Sequence, residues 1–200
     1  MKRVILLAAV AAALVAVAAS PAAAATVTCA NNQIISGDVD GVIVGPGADC
    51  YVAGAHVKGS LLVQPGGAVF VAGSHIDRSV TLQNARWFVF GSGTQIDQSL
   101  QIMGTTALPP SSTANLLCFT TVRKSTLITA NKAPVAVGCG TSTLFGNTLR
   151  GSTLISGNMA SVIFQYNQVF GTTICSGNLP AVAAAGNVYA AGVQHLVECA

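Results

Sequence analysis

Val57-Lys58-Gly59-Ser60-Leu61-Leu62-Val63 decides how this chain is read, because the pattern returns five more times. The later copies are Ile76-Asp77-Arg78-Ser79-Val80-Thr81-Leu82, Ile96-Asp97-Gln98-Ser99-Leu100-Gln101-Ile102, Val122-Arg123-Lys124-Ser125-Thr126-Leu127-Ile128, Leu149-Arg150-Gly151-Ser152-Thr153-Leu154-Ile155 and Val169-Phe170-Gly171-Thr172-Thr173-Ile174-Cys175. A version one residue shorter begins at Val39. The hydroxyl position, Ser60, Ser79, Ser99, Ser125, Ser152 and Thr172, recurs at intervals of 19, 20, 26, 27 and 20 residues. A period near twenty marks a solenoid, in which each turn is one supersecondary unit stacked on the last. The two long intervals predict loop insertions, one at Met103 to Thr121 and one between Ala130 and Phe145. Short β-branched and aromatic runs divided by Gly, Pro and Asn corners read as strands joined by tight turns. The expected fold is all-β: a single-domain parallel β-helix of about eight turns of ~20 residues.

A composition that is 52% hydrophobic and 8% charged implies either a membrane protein or a thoroughly buried one. Only Met1 to Ala25 could enter a bilayer. Lys2 and Arg3 precede an apolar run from Val4 to Ala19, followed by Ser20-Pro21 and the small residues Ala22 to Ala25. That is the layout of a secretory signal peptide, so cleavage after Ala25 is expected, leaving residues 26–200 as the β-helix domain. A retained anchor is the alternative, the apolar run being nearly long enough to cross. Removing Lys2 and Arg3 from nine basic residues leaves seven against six acidic ones, a net charge near +1. No strong field draws such a chain to nucleic acid or, after cleavage, to a membrane. A secreted protein, extracellular or held at the cell surface, is expected.

An exported chain with six cysteines is expected to oxidise them. Cys29 and Cys50 are 21 residues apart, Cys118 and Cys139 are 21 apart, and Cys175 and Cys199 are 24 apart. Each separation is about one turn, which brings the pair onto neighbouring strands ~4.8 Å apart, within the reach of a disulfide. Three sequential staples are therefore expected. In the C-terminal half Asn147, Asn167 and Asn187 form one column, and Asn158 and Asn178 another. Asparagine at repeated corners tolerates left-handed backbone and can pass side-chain hydrogen bonds along the stack.

Ile155-Ser156-Gly157-Asn158, Gly171-Thr172-Thr173-Ile174-Cys175-Ser176-Gly177-Asn178-Leu179-Pro180, Gly186-Asn187 and the final Cys199 resemble the ending of a group of uncharacterised secreted bacterial β-helix proteins. In architecture the chain is similar to the pectate-lyase-like superfamily, and the resemblance implies a right-handed coil. Enzymes of that superfamily cluster aspartates, with a basic residue in lyases, on one outer strand face; no complete cluster of that kind is evident here.

The charges follow the repeat. Counting from each Val57-type residue, the next position reads Asp40, Lys58, Asp77, Asp97, Arg123, Arg150, Phe170, and the preceding one reads Asp38, His56, His75, Gln95, Thr121, Thr148, Gln168. Residues flanking a buried strand position point outward together, so a polar stripe is expected, acidic early and basic late. Solvation of one face accounts for such a stripe. A sharper reading assigns Arg123, Lys124 and Arg150 to an acidic polysaccharide or cell-wall polymer, because guanidinium forks match carboxylate and phosphate. His56, His75 and Asp77 could hold a transition metal, and Asp40, Asp77 and Asp97 a calcium ion; surface histidines without any cofactor are the expectation, since metal sites need converging ligands. Asp77 and Asp97 could serve as a carboxylate pair with Arg78 orienting a sugar acid. The expected function is thus a non-catalytic structural or glycan-binding module, and the alternative is a polysaccharide lyase or glycosidase. Tyr51, Phe70 and Phe88 are 19 and 18 apart and read as an aromatic ladder beside Trp87, expected inside the coil.

Overall fold

A computed structural model describes residues 25–140, 142–143 and 146–190. The expected signal peptide, except Ala25, and Cys199 lie outside the described residues. Within them the chain forms 22 strands in an eight-stranded and a fourteen-stranded sheet, every pairing parallel. The larger sheet is two stacks of strands joined at one bend. Asp49–Val57 pairs through Asp49 to Ala53 with Ala68–Ala72, and through His56 and Val57 with His75–Ile76. Gly54 lies between the halves at φ 62°, a left-handed conformation that glycine adopts without Cβ strain. In later turns the halves are separate strands, so each turn contributes three and the coil has three faces. The third turn runs Leu61–Val63, Ala68–Ala72, His75–Ile76, and the eighth Thr173–Ser176, Ala183–Ala185, Val188–Tyr189.

The hydroxyl column stacks as the repeat requires. Backbone carbonyls of Ser60, Ser79, Ser99, Ser125, Ser152 and Thr172 accept N–H bonds from Val42, Leu61, Val80, Leu100, Thr126 and Thr153, each one turn earlier, at 2.8–3.1 Å. Each turn's backbone is thus satisfied by its neighbours along the axis rather than within itself. The fold is an eight-turn parallel β-helix, as the repeat implies.

Period-two alternation sends one set of side chains inward from every face. Val44, Val63, Leu82, Ile102, Ile128, Ile155 and Cys175 form one buried column, and Val57, Ile76, Ile96, Val122, Leu149 and Val169 another. The expected aromatic ladder breaks after two rings. Register sets Val89, not Phe88, over Phe70, while Phe88 pairs with Val69 and turns inward. Tyr51 and Phe70 stay half-buried on the outer surface, their centroids 6.2 Å apart.

Two corners carry buried polar columns. Asn131, Asn158 and Asn178 stack at the first, each amide Nδ2 donating to the next residue's Oδ1 at 2.8 and 2.7 Å. Asn147, Asn167 and Asn187 do so at the second, both steps 2.9 Å. Left-handed backbone falls on the residue before five of these asparagines, Ala130, Gly157, Tyr166, Gly177 and Gly186, and not on the asparagines themselves. The preceding residue makes the turn and the asparagine is freed to point inward. The third corner is different: a link of constant length, Lys58 to Ser60, Asp77 to Ser79 and so on to Phe170 to Thr172, joins the third face back to the first. The insertions open the other two, Gly104 to Ala114 between the first and second faces and Gly138 to Asn147 between the second and third.

Cys29–Cys50 and Cys118–Cys139 are disulfides, with Cα atoms 6.0 and 5.4 Å apart. Cys175 is also disulfide-bonded, but its expected partner Cys199 is outside the described residues. The first staple ties the opening turn, which among the described residues pairs on one side only, to the second. Replacing Cys29 and Cys50 together by serine is expected to lower unfolding free energy by about 3 kcal/mol, the chain-entropy value for a loop of roughly twenty residues. A guanidinium titration would register this as a lower midpoint, and an unchanged midpoint would show that the opening turn adds nothing to the coil.

Candidate functional site

The third corner and the short strands before it carry the charged stripe. Register places Asp38, His56, His75, Gln95, Thr121, Thr148 and Gln168 one above the next. Beside that column the amides of Lys58, Asp77, Asp97, Arg123, Arg150 and Phe170 each bond to the carbonyl of the residue before their counterpart one turn earlier, at 2.8–2.9 Å. The two columns alternate imidazole and carboxylate, and the side chains join across them. His56 Nδ1 lies 3.6 Å from Asp38 Oδ1, and His56 Nε2 lies 2.9 Å from Asp77 Oδ1. His75 Nε2 lies 3.6 Å from the same Asp77 oxygen and 3.1 Å from Asp97 Oδ2. Arg123 Nε closes the series 3.2 Å from Asp97 Oδ1. The two imidazole rings stack, with centroids 5.3 Å apart and planes 20° apart. Strand spacing explains this: side chains at equivalent positions of adjacent parallel strands stand ~4.8 Å apart, and flat rings fill that gap face to face.

Lys58, which the sequence puts among these ligands, is drawn aside. Its Nζ lies 3.4 Å from Asp38 Oδ2, away from Asp77. Asp40 is exposed, and the Lys58 rung separates it from Asp77, which interrupts a row of calcium-binding carboxylates. Asp77 and Asp97 do not face each other across open space, because the His75 nitrogen lies between them. Arg78 is exposed and makes no ion pair among the described residues. Both insertions lie at other corners and in later turns, so the carboxylates are not at the base of a cleft walled by those loops.

The basic end is more open. Arg123, Lys124 and Arg150 are all exposed. Lys124 and Arg150 have no carboxylate partner among the described residues, and Arg150 Cζ lies 5.8 Å from the centre of the exposed Phe170 ring. An arginine over an aromatic face is held partly by the ring quadrupole while its donors stay free.

A second charged pair, between Arg86 and Asp49, was not legible as a unit. It spans two turns, Arg86 Nη2 reaching Asp49 Oδ1 past the intervening Gly67 and Ala68. Their place between the partners in the turn alignment is the signal that could have shown it.

Compared with protein-family models, with curated proteins and with solved structures, the chain matches none.

Proposed function

We propose that the chain is a secreted, non-catalytic β-solenoid that serves as a surface or wall-associated module and grips an acidic polymer along the basic half of its stripe. The observation that carries this reading is the asymmetry of the stripe. Its acidic half is engaged internally by His56, His75, Lys58 and Arg123, whereas Lys124 and Arg150 face outward with no carboxylate partner among the described residues. An acidic polymer laid along the axis meets these cations at rung spacing and then the Phe170 ring, on which a sugar face can stack. Export is supported by the Met1 to Ala25 layout and by disulfides of a kind that persist in oxidising compartments.

Replacing Arg123, Lys124 and Arg150 together by glutamine is expected to reduce retention on an immobilised polyuronate or phosphate-bearing wall polymer by about 10- to 100-fold. Three exposed charge contacts of about 0.5–1 kcal/mol each give a loss of that order. Unchanged retention on both polymers would overturn the assignment. Running the same polymers through a depolymerisation assay separates a binding module from a lyase or glycosidase built on Asp77, Asp97 and Arg78.

A further inference from the structure

We infer that the acidic half of the stripe is a binding site for one divalent transition ion of the zinc class, held by His56 Nε2, His75 Nε2 and Asp77 Oδ1 and completed by Asp97 Oδ2. The site shares no ligand with the polymer-binding reading; only Arg123, which pairs with Asp97, touches both, and the tests below leave it unchanged.

Three donor atoms converge from two consecutive turns, and Asp97 Oδ2 stands beside His75 from the next. His56 comes from the second, His75 and Asp77 from the third, and Asp97 from the strand link of the fourth. The atoms of His56, His75 and Asp77 all lie within 4.8 Å of one another. Tetrahedral zinc, with bonds of about 2.0–2.2 Å, sets neighbouring donors roughly 3.3–3.5 Å apart. The contacts along this set are 2.9 Å from His56 to Asp77, 3.6 Å from His75 to Asp77 and 3.1 Å from His75 to Asp97, which straddle that spacing. Small rotations of His56, His75 and Asp77 would bring these three donors to it, and a turn of the Asp97 carboxylate would supply the fourth. Two imidazoles and two carboxylates are a donor set that suits zinc, copper or nickel and not calcium, which takes oxygen ligands only.

The surroundings are those of a supported site. Histidine ligands are oriented by a carboxylate on the other ring nitrogen; Asp38 Oδ1, 3.6 Å from His56 Nδ1, is beyond hydrogen-bond distance here and a small ring rotation would bring it into that role. Arg123 Nε stands 3.2 Å from the second oxygen of Asp97 as an ion pair, while Oδ2 turns to His75. Lys58 is engaged by Asp38 and makes no ion pair with Asp77 or Asp97 among the described residues. Rings stacked 5.3 Å apart present both Nε2 atoms to one carboxylate oxygen, an arrangement fixed by strand register and not by flexible loops. An ion here would tie three turns together as the disulfides tie pairs.

The test is zinc titration of the full chain by calorimetry and by thermal melting, repeated with cobalt, whose visible spectrum reports tetrahedral nitrogen and oxygen ligands. Expected are one ion per chain, a higher melting temperature on zinc addition and cobalt bands free of sulfur charge transfer. His75→Ala should weaken binding at least about 100-fold and Asp38→Asn about tenfold, the latter being the effect of losing an orienting carboxylate. Both side chains are partly exposed, and a melting curve without metal that matches the parent confirms that each variant folds. His195 is not among the proposed ligands, so His195→Ala is the control and should bind as the parent does. Absence of zinc binding would overturn the assignment, as would binding that survives His75→Ala and is lost in His195→Ala.

Discussion

Gly138→Ala is expected to destabilise the fold by about 4 kcal/mol, lowering the melting temperature by roughly 10–15 °C in a domain of this size. Two penalties add. Gly138 has φ 94°, where an L side chain strains the backbone by about 1–2 kcal/mol. A Cβ at this position would also overlap the carbonyl oxygen of Gln165 in the next turn and crowd Asn167 Oδ1. Neither atom can move freely. Gln165 ends the strand Val162–Gln165, and Asn167 stands in a hydrogen-bonded column, so relief requires the two turns to part. Overpacking against backbone costs a further ~1–3 kcal/mol by the usual range. Gly157→Ala isolates the first penalty, because Gly157 has φ 60° and nothing within 4 Å of the added carbon. It should cost only about 1 kcal/mol. Equal losses in the two variants would show that close approach between turns is not what requires glycine at 138.

Asn167→Ala should cost a similar amount, about 4 kcal/mol, by leaving buried groups without partners. Oδ1 of Asn167 accepts from the backbone N–H of Asn147 at 3.2 Å and from its Nδ2 at 2.9 Å. Its own Nδ2 donates to the Val137 carbonyl at 3.0 Å and to Asn187 Oδ1 at 2.9 Å. Alanine removes all four bonds inside the coil, where water does not replace them, and each orphaned group costs about 1–3 kcal/mol. Asn147 Nδ2 keeps its bond to the Leu117 carbonyl, which limits the total. Asn178→Ala, at the less buried end of the other column, should cost about half as much, since only its acceptor bonds to Asn158 and its donor bond to Ile155 are lost. Pairing Asn167→Ala with Asn147→Ala should give less than the sum of the single losses, because the two share bonds. Denaturant unfolding of the single and double variants measures this, and strict additivity would show that the asparagines act singly and not as a ladder.

The coil was legible because its signal is vertical: Ser60, Ser79 and Ser99 report one another's position whatever lies between them. The same property made the outward charge column readable residue by residue, from Asp38 to Gln168. Facing direction was harder wherever both alternating positions were apolar. Thr126-Leu127-Ile128 offers leucine as the obvious interior residue, yet Thr126 and Ile128 are buried and Leu127 is only partly covered. Register decides this: Leu100 and Ile102 of the preceding turn lie over Thr126 and Ile128, and a shift of one residue would turn the whole strand over. The aromatic ladder failed for a related reason. The step from Phe70 to its partner is 19 residues, to Val89, and an 18-residue alignment on ring identity chose Phe88 instead. Polar contacts reaching across two turns, as from Arg86 to Asp49, left no trace in nearest-neighbour spacing. How far His56 and His75 converge on one oxygen was likewise a matter of side-chain torsions, which a repeat does not encode.

The link that returns each turn from the third face to the first keeps three residues in six successive turns, while the other two corners take up every change in length. Evolution or engineering can therefore lengthen this molecule's loops without altering the pitch at which its charged groups are displayed. Insertion of a single residue into Asp97-Gln98-Ser99, by contrast, would put one register out of phase with its neighbours and expose what had been interior. From the second turn on, the chain thus behaves like a comb with its spine at one edge: the teeth stay evenly set because variation is admitted only elsewhere.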